Sequence, residues 1–134
     1  MDITWLEELT RLALGAYSAV EFGWDENELK RRFREDLDLK VMRIVSVDGC
    51  MAGAIAVEDH GEFLFLDYIS LLPEYQRRGI GTALVQELLR QATEAGVSVR
   101  LNVLRSNPAR RLYERLGFRT TGTDGHRWFM QWEK

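Results

Sequence analysis

The residues around Leu71 to Thr82 constrain the fold of this chain most, because they join an apolar run directly to the start of a helix. Residues 63–72 are almost all apolar and predict a buried strand. After the basic turn Gln76-Arg77-Arg78-Gly79, apolar residues recur at helical spacing on one face, at Ile80, Ala83, Leu84, Leu88 and Ala92. A buried strand followed at once by an amphipathic helix predicts an α/β domain.

The predicted helix start near Gly81 is suited to an anion. Backbone N–H groups in a first helical turn lack intrahelical partners, and the helix dipole adds positive charge there. Gly79 and Gly81 place no side chain in front of these donors, and Arg77 and Arg78 add full charges. The spacing excludes a P-loop, and Leu84 stands where the dinucleotide fingerprint needs its third glycine.

The string Gln-Arg-Arg-Gly-Ile-Gly at 76–81 resembles the acetyl-CoA-binding signature, Q/R-x-x-G-x-G/A, of the GCN5-related N-acetyltransferase (GNAT) family. Residues 107–118, Asn-Pro-Ala-Arg-Arg-Leu-Tyr-Glu-Arg-Leu-Gly-Phe, are similar to the family's N-x-x-A-x-x-L-Y-E-x-x-G-F. The simpler interpretation is a basic turn before an ordinary helix, followed by a short helix with an apolar stripe. Two matches about thirty residues apart favour the family.

The resemblance implies one domain over residues 1–134, with a mixed, mostly antiparallel sheet flanked by helices. In the family the fourth and fifth strands diverge, and the pantetheine arm of acetyl-CoA lies in the gap. Only Met1-Asp2-Ile3 precede the first helix, so the family's first strand is short or missing here, and a missing strand would support a homodimer. The implied cofactor-binding residues are Ile69, Leu71, Leu72, Gln76, Arg77, Arg78, Gly79, Ile80, Gly81, Thr82, Asn107, Ala109 and Arg110.

The implied chemistry is direct attack of an amine on the acetyl thioester. Tyr113, in the second motif, fits the general acid, since a tyrosine with a pKa of about 10 stays protonated at neutral pH. A lysine-like amine needs about 4.6 kcal/mol to lose its proton at neutral pH, which favours a carboxylate base. On strand alternation Asp67 shares a face with Ile69 and Leu71, with Glu62 as the next choice. A structural role for Asp67, and water as the base, stay open.

Composition and charge agree with one small enzyme domain. A chain of 134 residues with 46% hydrophobic content can bury a single core. Residues 1–38 hold ten acids against five basic residues, whereas residues 76–119 hold nine arginines against three glutamates. The anionic cofactor is therefore expected on the second half and a cationic amine near the first. The overall acidity disfavours nucleic acid as a partner.

The cysteine and histidine residues give no sign of a disulfide or a metal site. Cys50 is the only cysteine, and His60 and His126 are isolated from each other and from acid clusters. Cys50 is interpreted as structural, and we expect no metal cofactor. The chain shows no signal peptide and no long apolar span, so we expect a cytoplasmic protein that does not bind membranes.

Patterning along the chain predicts helices over about 4–20, from Asp25 with a capping glutamate three residues on, from Gly81 to about Gly96, and over 108–116. Strands are predicted at 41–47, 51–57, 63–72, 97–104, 118–121 and 127–132, with hairpin turns at Asp48-Gly49 and Asp124-Gly125.

The sequence therefore predicts an acetyl-CoA-dependent N-acetyltransferase acting on a primary amine. The acceptor can instead be a protein N-terminus or lysine. A sensor that holds acyl-CoA without transfer is an alternative of a different class, and an interaction module is a third. Specificity is expected from the first two helices and the last hairpin, where Phe22, Trp24, His126 and Trp128 are the candidate pocket residues, although aromatic residues there can equally belong to the core.

Overall fold

The structure is a computed structural model and describes all residues from Met1 to Lys134. The helices are α1 (Ile3–Phe22), α2 (Glu26–Asp36), α3 (Ile80–Ala95) and α4 (Ala109–Arg115), with a short 3-10 turn at Pro73–Tyr75. The strands are β1 (Met42–Val47), β2 (Cys50–Asp59), β3 (Phe63–Leu71), β4 (Ser98–Leu104), β5 (Arg119–Thr123) and β6 (Arg127–Trp132).

The six strands form one sheet in the order β1-β2-β3-β4-β6-β5. All neighbouring pairs are antiparallel except β3 and β4, which are parallel because α3 crosses over between them. The predicted mixed, mostly antiparallel sheet flanked by helices is thus confirmed. Cys50, one residue before the strand predicted at 51–57, is the first residue of β2 and pairs with Val47 across the hairpin.

The two N-terminal helices begin at aspartates. Asp2 caps α1, since its Oδ1 accepts the N–H groups of Thr4 at 2.9 Å and Trp5 at 3.3 Å. The helix predicted over about 4–20 therefore begins one residue earlier and ends two residues later. Asp25 caps α2 as predicted and accepts the N–H of Glu28 at 2.8 Å.

No strand precedes α1, so the family's first strand is missing from this sheet. The outer edge of β1 pairs with no other strand. Unpaired edges are where a second chain can add, but a homodimer stays a prediction.

Helices bury apolar side chains against both faces of the sheet. One core joins α3 and α4 to the centre of the sheet and contains Val85, Leu88, Leu101, Tyr113 and Phe118 among its buried residues. A second core joins α1 to β1 and β2 through Leu6, Leu9, Met42, Ala54 and Ala56. Each face of the sheet therefore has its own apolar core, covered by helices.

Strand β3 contains the irregularity that shapes the middle of the sheet. Its pairing with β4 runs only from Phe63 opposite Ser98 to Leu66 opposite Leu101, after which the two strands diverge. On its other side the register with β2 shifts between Ala56 and Val57 and leaves Asp67 without an opposite residue. Asp67 is therefore the extra residue of a β-bulge beside the opening between β3 and β4.

Helix α1 lies across this opening and is tied to the loop before α4. The Glu21 carboxylate accepts the backbone N–H of Ser106 at 3.0 Å, and the Ser106 hydroxyl donates to the Tyr17 carbonyl at 3.4 Å.

None of the helices combines the length and apolarity needed to cross a membrane. No three His, Cys, Asp or Glu side chains are grouped so as to hold a metal ion.

Candidate active site

The diverging strands open onto a groove with a volume of ≈ 370 Å³. We call it the central groove. Residues from α1, β3, the turn before α3, α3 itself and α4 line it: Ala13, Leu14, Tyr17, Ile69, Ser70, Leu71, Gln76, Arg77, Gly79, Gly81, Thr82, Asn107, Pro108, Ala109, Leu112, Tyr113 and Arg115. The two motifs found in the sequence therefore meet in one site.

The start of α3 presents free backbone donors to this groove. No backbone N–H from Arg77 to Thr82 donates to an acceptor in the protein, and no side chain caps the helix. Gly79, the capping residue, has a φ of 81°, which glycine adopts without steric cost. Arg77 also has a positive φ, 60°, which is costly for a residue with a side chain. Left-handed residues of this kind form the turns that surround bound anions.

Gln76 has a positioning role in this structure. Its side-chain amide donates to the Leu71 carbonyl at 2.9 Å and so holds the end of β3 against the turn. The backbone N–H of Leu72 donates to Ala52 on β2 at 2.8 Å. Since these bonds fix the last residues of β3, the groove wall has a defined position before any ligand enters.

The short helix α4 forms the opposite wall. Asn107 lies just before this helix, and its Oδ1 accepts the Ala109 N–H at 2.9 Å; Gly117 follows the helix with a φ of 100°. Asn107 keeps its amide N–H groups free. Tyr113 is 5% exposed and packs edge-on against Phe118 with ring centroids 5.7 Å apart. Burial raises the pKa of Tyr113 to about 12, so its hydroxyl stays protonated at neutral pH.

A second cavity, of ≈ 270 Å³, lies under α1 and α2, and we call it the acidic cavity. Leu14 lines both cavities, so the two adjoin there. Its lining comprises Thr10, Leu14, Ser18, Phe22, Trp24, Leu29, Arg32, Phe33, Asp36, Leu37, Asp38, Met42, Ala56, Asp67, Tyr68, Leu104 and Arg127.

Asp67 lies in the acidic cavity rather than in the central groove. The prediction that it shares a face with Ile69 and Leu71 is wrong, because the bulge at Asp67 breaks the alternation of β3. Desolvation raises the pKa of Asp67, and the nearby carboxylates of Glu58, Asp36 and Asp38 raise it further. The Asp67 carboxylate is therefore more basic than that of an ordinary aspartate.

Several side chains predicted for the cofactor lie outside the central groove. Leu72 packs toward the α1 core, and the side chains of Arg78 and Ile80 do not line the groove. Arg78 lies over the Tyr75 ring at 5.3 Å. Arg110 lies over Trp128 at 4.2 Å and pairs with Glu114 at 2.8 Å. Arg77 and Arg115 are the two arginines that line the central groove.

Of the four predicted specificity residues, two line the acidic cavity and two line neither cavity. Phe22 and Trp24 line the acidic cavity and stack with ring centroids 4.4 Å apart. His126 packs on the outer side of Phe22 at 4.9 Å, and Trp128 lies between Arg105 and Arg110. Glu62, the second choice for a base, lines neither cavity.

Sequence reasoning missed Tyr68, Ser70 and the α1 residues of the site. The Tyr68 hydroxyl lies 2.8 Å from Thr10 Oγ1, which joins β3 to α1. Ser70 is 4% exposed, and its hydroxyl has no hydrogen-bond partner in the protein. Both are polar residues in an otherwise apolar strand, which is the signal that could have singled them out.

Comparison with known proteins follows this geometry. The family model described as "Acetyltransferase (GNAT) family" matches residues 6–118. A search among curated protein sequences finds no significant match.

Solved structures similar to this one include enzymes. The ribosomal-protein-S18-alanine N-acetyltransferase from Escherichia coli is 26% identical, with a TM-score of 0.68, over 98% of this chain and 86% of that one. The PaiA N-acetyltransferase from Thermoplasma acidophilum, solved in complex with coenzyme A, is 24% identical, with a TM-score of 0.74, over 99% and 93%. PH1933 from Pyrococcus horikoshii OT3 is 17% identical, with a TM-score of 0.76, over 100% and 93%. The last two likenesses concern the fold alone.

Proposed function

Because the chain belongs to the GNAT acetyltransferase family, we propose that it transfers the acetyl group of acetyl-CoA to a primary amine. One observation carries the proposal: a single groove has the free N–H groups of the α3 start at one end and Tyr113 in its lining. A diphosphate bound at the helix start would direct a thioester along the opening between β3 and β4 toward the tyrosine.

The cofactor would be held mainly by backbone. The N–H groups from Arg77 to Thr82 would take the pyrophosphate, with Arg77 adding charge. The backbone of β3 and β4 beyond Leu66 and Leu101 has no strand partner across the opening, so it is free to pair with the amides of the pantetheine arm. The side-chain amide of Asn107 would add a further donor to the arm.

The transfer itself needs three events. The amine, arriving through the acidic cavity, loses a proton to Asp67 directly or through water, and its nitrogen lone pair attacks the thioester carbonyl carbon. A backbone N–H near Leu71 stabilises the oxyanion of the tetrahedral intermediate. The C–S bond then breaks, the nitrogen loses its second proton, and the departing sulfur receives one from Tyr113. The products are the acetamide, coenzyme A as its thiol, and one proton released to solvent.

The high pKa of Tyr113 limits how it assists. Complete transfer from a phenol of pKa about 12 to a thiolate whose acid has a pKa of about 8.5 is uphill by about 5 kcal/mol. The hydroxyl is therefore expected to stabilise the sulfur by a hydrogen bond while the C–S bond lengthens. The proton then passes from Tyr113 to the sulfur, and Tyr113 takes a replacement proton from solvent.

A second candidate acceptor is a peptide N-terminus. Likeness to the Escherichia coli enzyme, which is an alanine N-acetyltransferase of ribosomal protein S18, favours it. An α-amine with a pKa of about 7.7–8.0 costs only about 1 kcal/mol to deprotonate at neutral pH, so this substrate depends less on Asp67.

The test is release of free coenzyme A from acetyl-CoA with a panel of small amines and N-terminal peptides, read by a thiol reagent and by mass spectrometry of the products. Release that depends on an amine supports the proposal. Tight binding of acetyl-CoA without release on any amine would indicate a sensor domain, and absence of binding in calorimetry would indicate an interaction module.

A further inference from the structure

Building on the proposed function, we infer that the acceptor is an unbranched alkyl diamine. Its reacting amine lies against Asp67 and Tyr68, and its second ammonium lies near Asp36 and Asp38 at the end of α2.

The acidic cavity contains three carboxylates that no basic residue neutralises. Asp36, Asp38 and Asp67 form no salt bridge, and the charges acting on Asp67 come from other acids. The two arginines of the lining are paired with other acids. Arg32 pairs with Glu28 at 2.8 Å, and Arg127 pairs with Asp124 at 3.1 Å. The unpaired charge of the cavity is therefore negative and attracts a cation.

The end of α2 adds to this negative potential. Asp36 is the last residue of the helix, where the macrodipole is already negative and a carboxylate is unfavourable. The basic residue of the last turn, Arg34, binds the buried Glu7 on α1 through two hydrogen bonds of 2.8 and 2.9 Å. Since the Arg34 guanidinium is paired with Glu7, it does not neutralise the negative charge at the end of α2. In our proposal the ligand supplies the positive charge there.

The Tyr68 oxygen can accept a hydrogen bond from a ligand in the cavity, because its own proton is already donated to Thr10. The Thr10 hydroxyl donates to the Leu6 carbonyl at 2.8 Å. A hydroxyl has only one proton, so in its 2.8 Å contact with Tyr68 it is Thr10 that accepts and Tyr68 that donates. The Ser70 hydroxyl lies close enough to the Tyr68 oxygen to lower the pKa of Tyr68, and the remaining lone pair of that oxygen is left for a donor such as an amine N–H.

Ser70 gives an independent indication of a polar ligand. It lies two residues beyond Tyr68 on the same face of β3, and it lines the central groove, which adjoins the acidic cavity at Leu14. Its buried hydroxyl lies near the Tyr68 hydroxyl and lowers the pKa of that group, but it makes no hydrogen bond of good geometry within the protein, which is costly in a folded protein. An amine nitrogen passing from Tyr68 toward the thioester would provide the missing hydrogen bond.

The walls and size of the cavity limit the rest of the ligand. The ring centroids of Phe33 and Tyr68 lie 5.8 Å apart, and their rings offer apolar surface to methylene groups and attraction to a cation. A volume of ≈ 270 Å³ is below the range of about 300–1,000 Å³ usual for drug-sized ligands. A short alkyl chain with an amine at each end therefore fits the site better than a folded or bulky acceptor.

The kinetic test compares diamines from 1,3-diaminopropane to 1,6-diaminohexane with monoamines of the same length and with 4-aminobutanoate. We expect the best diamine to exceed its matched monoamine in kcat/KM by at least about tenfold, and the carboxylate compound to be the poorest. A monoamine or a peptide N-terminus that equals or exceeds every diamine would overturn the inference while leaving the proposed function intact.

Two variants and one control locate the second ammonium. Asp36→Asn and Asp38→Asn should each lower the ratio of diamine to monoamine kcat/KM by several-fold. Glu35→Gln removes the same charge from the neighbouring position of α2, outside the cavity, and should leave the ratio unchanged. An equal effect of all three substitutions would mean that the preference for diamines depends only on the overall negative charge of α2. The assignment of the second ammonium to Asp36 and Asp38 would then be wrong.

A binding measurement separates this inference from the proposed function. In calorimetry, protein saturated with coenzyme A should bind the diamine more tightly than the monoamine, and Asp36→Asn should remove the difference. If no amine releases coenzyme A but this pattern holds, the transferase proposal fails and the dication site stands. If release occurs but the pattern is missing, the site fails alone.

Discussion

Asp67 and Tyr113 line different cavities that adjoin at Leu14, the one residue common to both linings. The proposed base and the proposed acid therefore approach the reacting carbon from different sides of the opening between β3 and β4. In the proposed reaction the acceptor would enter through the acidic cavity and the cofactor through the central groove, which is an arrangement suited to direct transfer.

Replacing Tyr113 by phenylalanine tests the acid. No hydrogen bond contributes to the pKa of Tyr113, so removal of its hydroxyl should break no hydrogen bond within the protein. We therefore expect the variant to have the Tm of the parent protein. We expect kcat to fall by about 10²-fold, a usual contribution of general acid–base catalysis, with the Kd for acetyl-CoA nearly unchanged. An unchanged kcat would exclude Tyr113 from the mechanism.

Replacing Asp67 by asparagine tests the base through its pH dependence. With a lysine-like amine, kcat/KM at neutral pH should fall by about 10²-fold, and the acidic limb that reports the raised pKa of Asp67 should disappear. Glu62→Gln, which removes a carboxylate outside both cavities, is the matched control and should behave as the parent protein.

The same substitution has a predicted effect on stability. Because the folded pKa of Asp67 is raised, the folded state keeps its proton at pH values where the unfolded chain has lost it, so stability falls as pH rises through this range. Asp67→Asn should therefore increase Tm at pH 7, and the gain should vanish below the ordinary pKa of 3.8. A variant that is less stable at pH 7 would indicate that the aspartate has a structural role.

Gly81 tests the helix start as the cofactor site. A Cβ there would lie 4.0 Å from the nearest side-chain atoms of Leu112 and Leu71, so the fold can accept it. Gly81→Ala should keep or slightly raise stability, by up to about 1 kcal/mol. Gly81→Trp should fill the groove and abolish coenzyme A binding in calorimetry. Normal binding by the tryptophan variant would place the cofactor elsewhere.

Gly53 on β2 tests whether the end of β3 must lie where it does. A Cβ at Gly53 would come within 2.1 Å of the Ser70 carbonyl oxygen and 3.0 Å of Leu71 Cα, and both atoms belong to the backbone of the groove wall. Gly53→Ala should lower the free energy of unfolding by about 1–3 kcal/mol and raise the KM for acetyl-CoA.

The control for this prediction is Gly122→Ala on β5. Its Cβ would meet only the Phe129 ring, at 3.4 Å, and the groove is not affected. If Gly53→Ala lowers stability but leaves the KM unchanged, the end of β3 does not position the cofactor.

Local signals made much of the fold predictable. The apolar run of β3, the glycine-bearing start of α3 and the glycine that ends α4 are each written in a few neighbouring residues. Asp48 and Gly49 both have positive φ, as the predicted hairpin turn requires. These features depend on local sterics and capping, which short patterns record well.

The features that decide the site depend on contacts between distant segments. The bulge at Asp67 arises from pairing with β2, and it moved the candidate base into a different cavity from the one that alternation predicted. The contact between Thr10 and Tyr68 joins residues 58 positions apart. No local pattern encodes such a meeting, so sequence reasoning found the central groove and missed most of the acidic cavity.

If the opening between β3 and β4 binds acetyl-CoA as proposed, the amount of folded protein in a cell depends on the supply of that ligand. A sheet interrupted at its centre gains stability from any molecule that bridges the gap, by about 2.7 kcal/mol when that molecule is present at a hundred times its Kd. Abundance of the folded protein would then rise and fall with the supply of its acyl donor, since the empty form would be cleared faster by proteases.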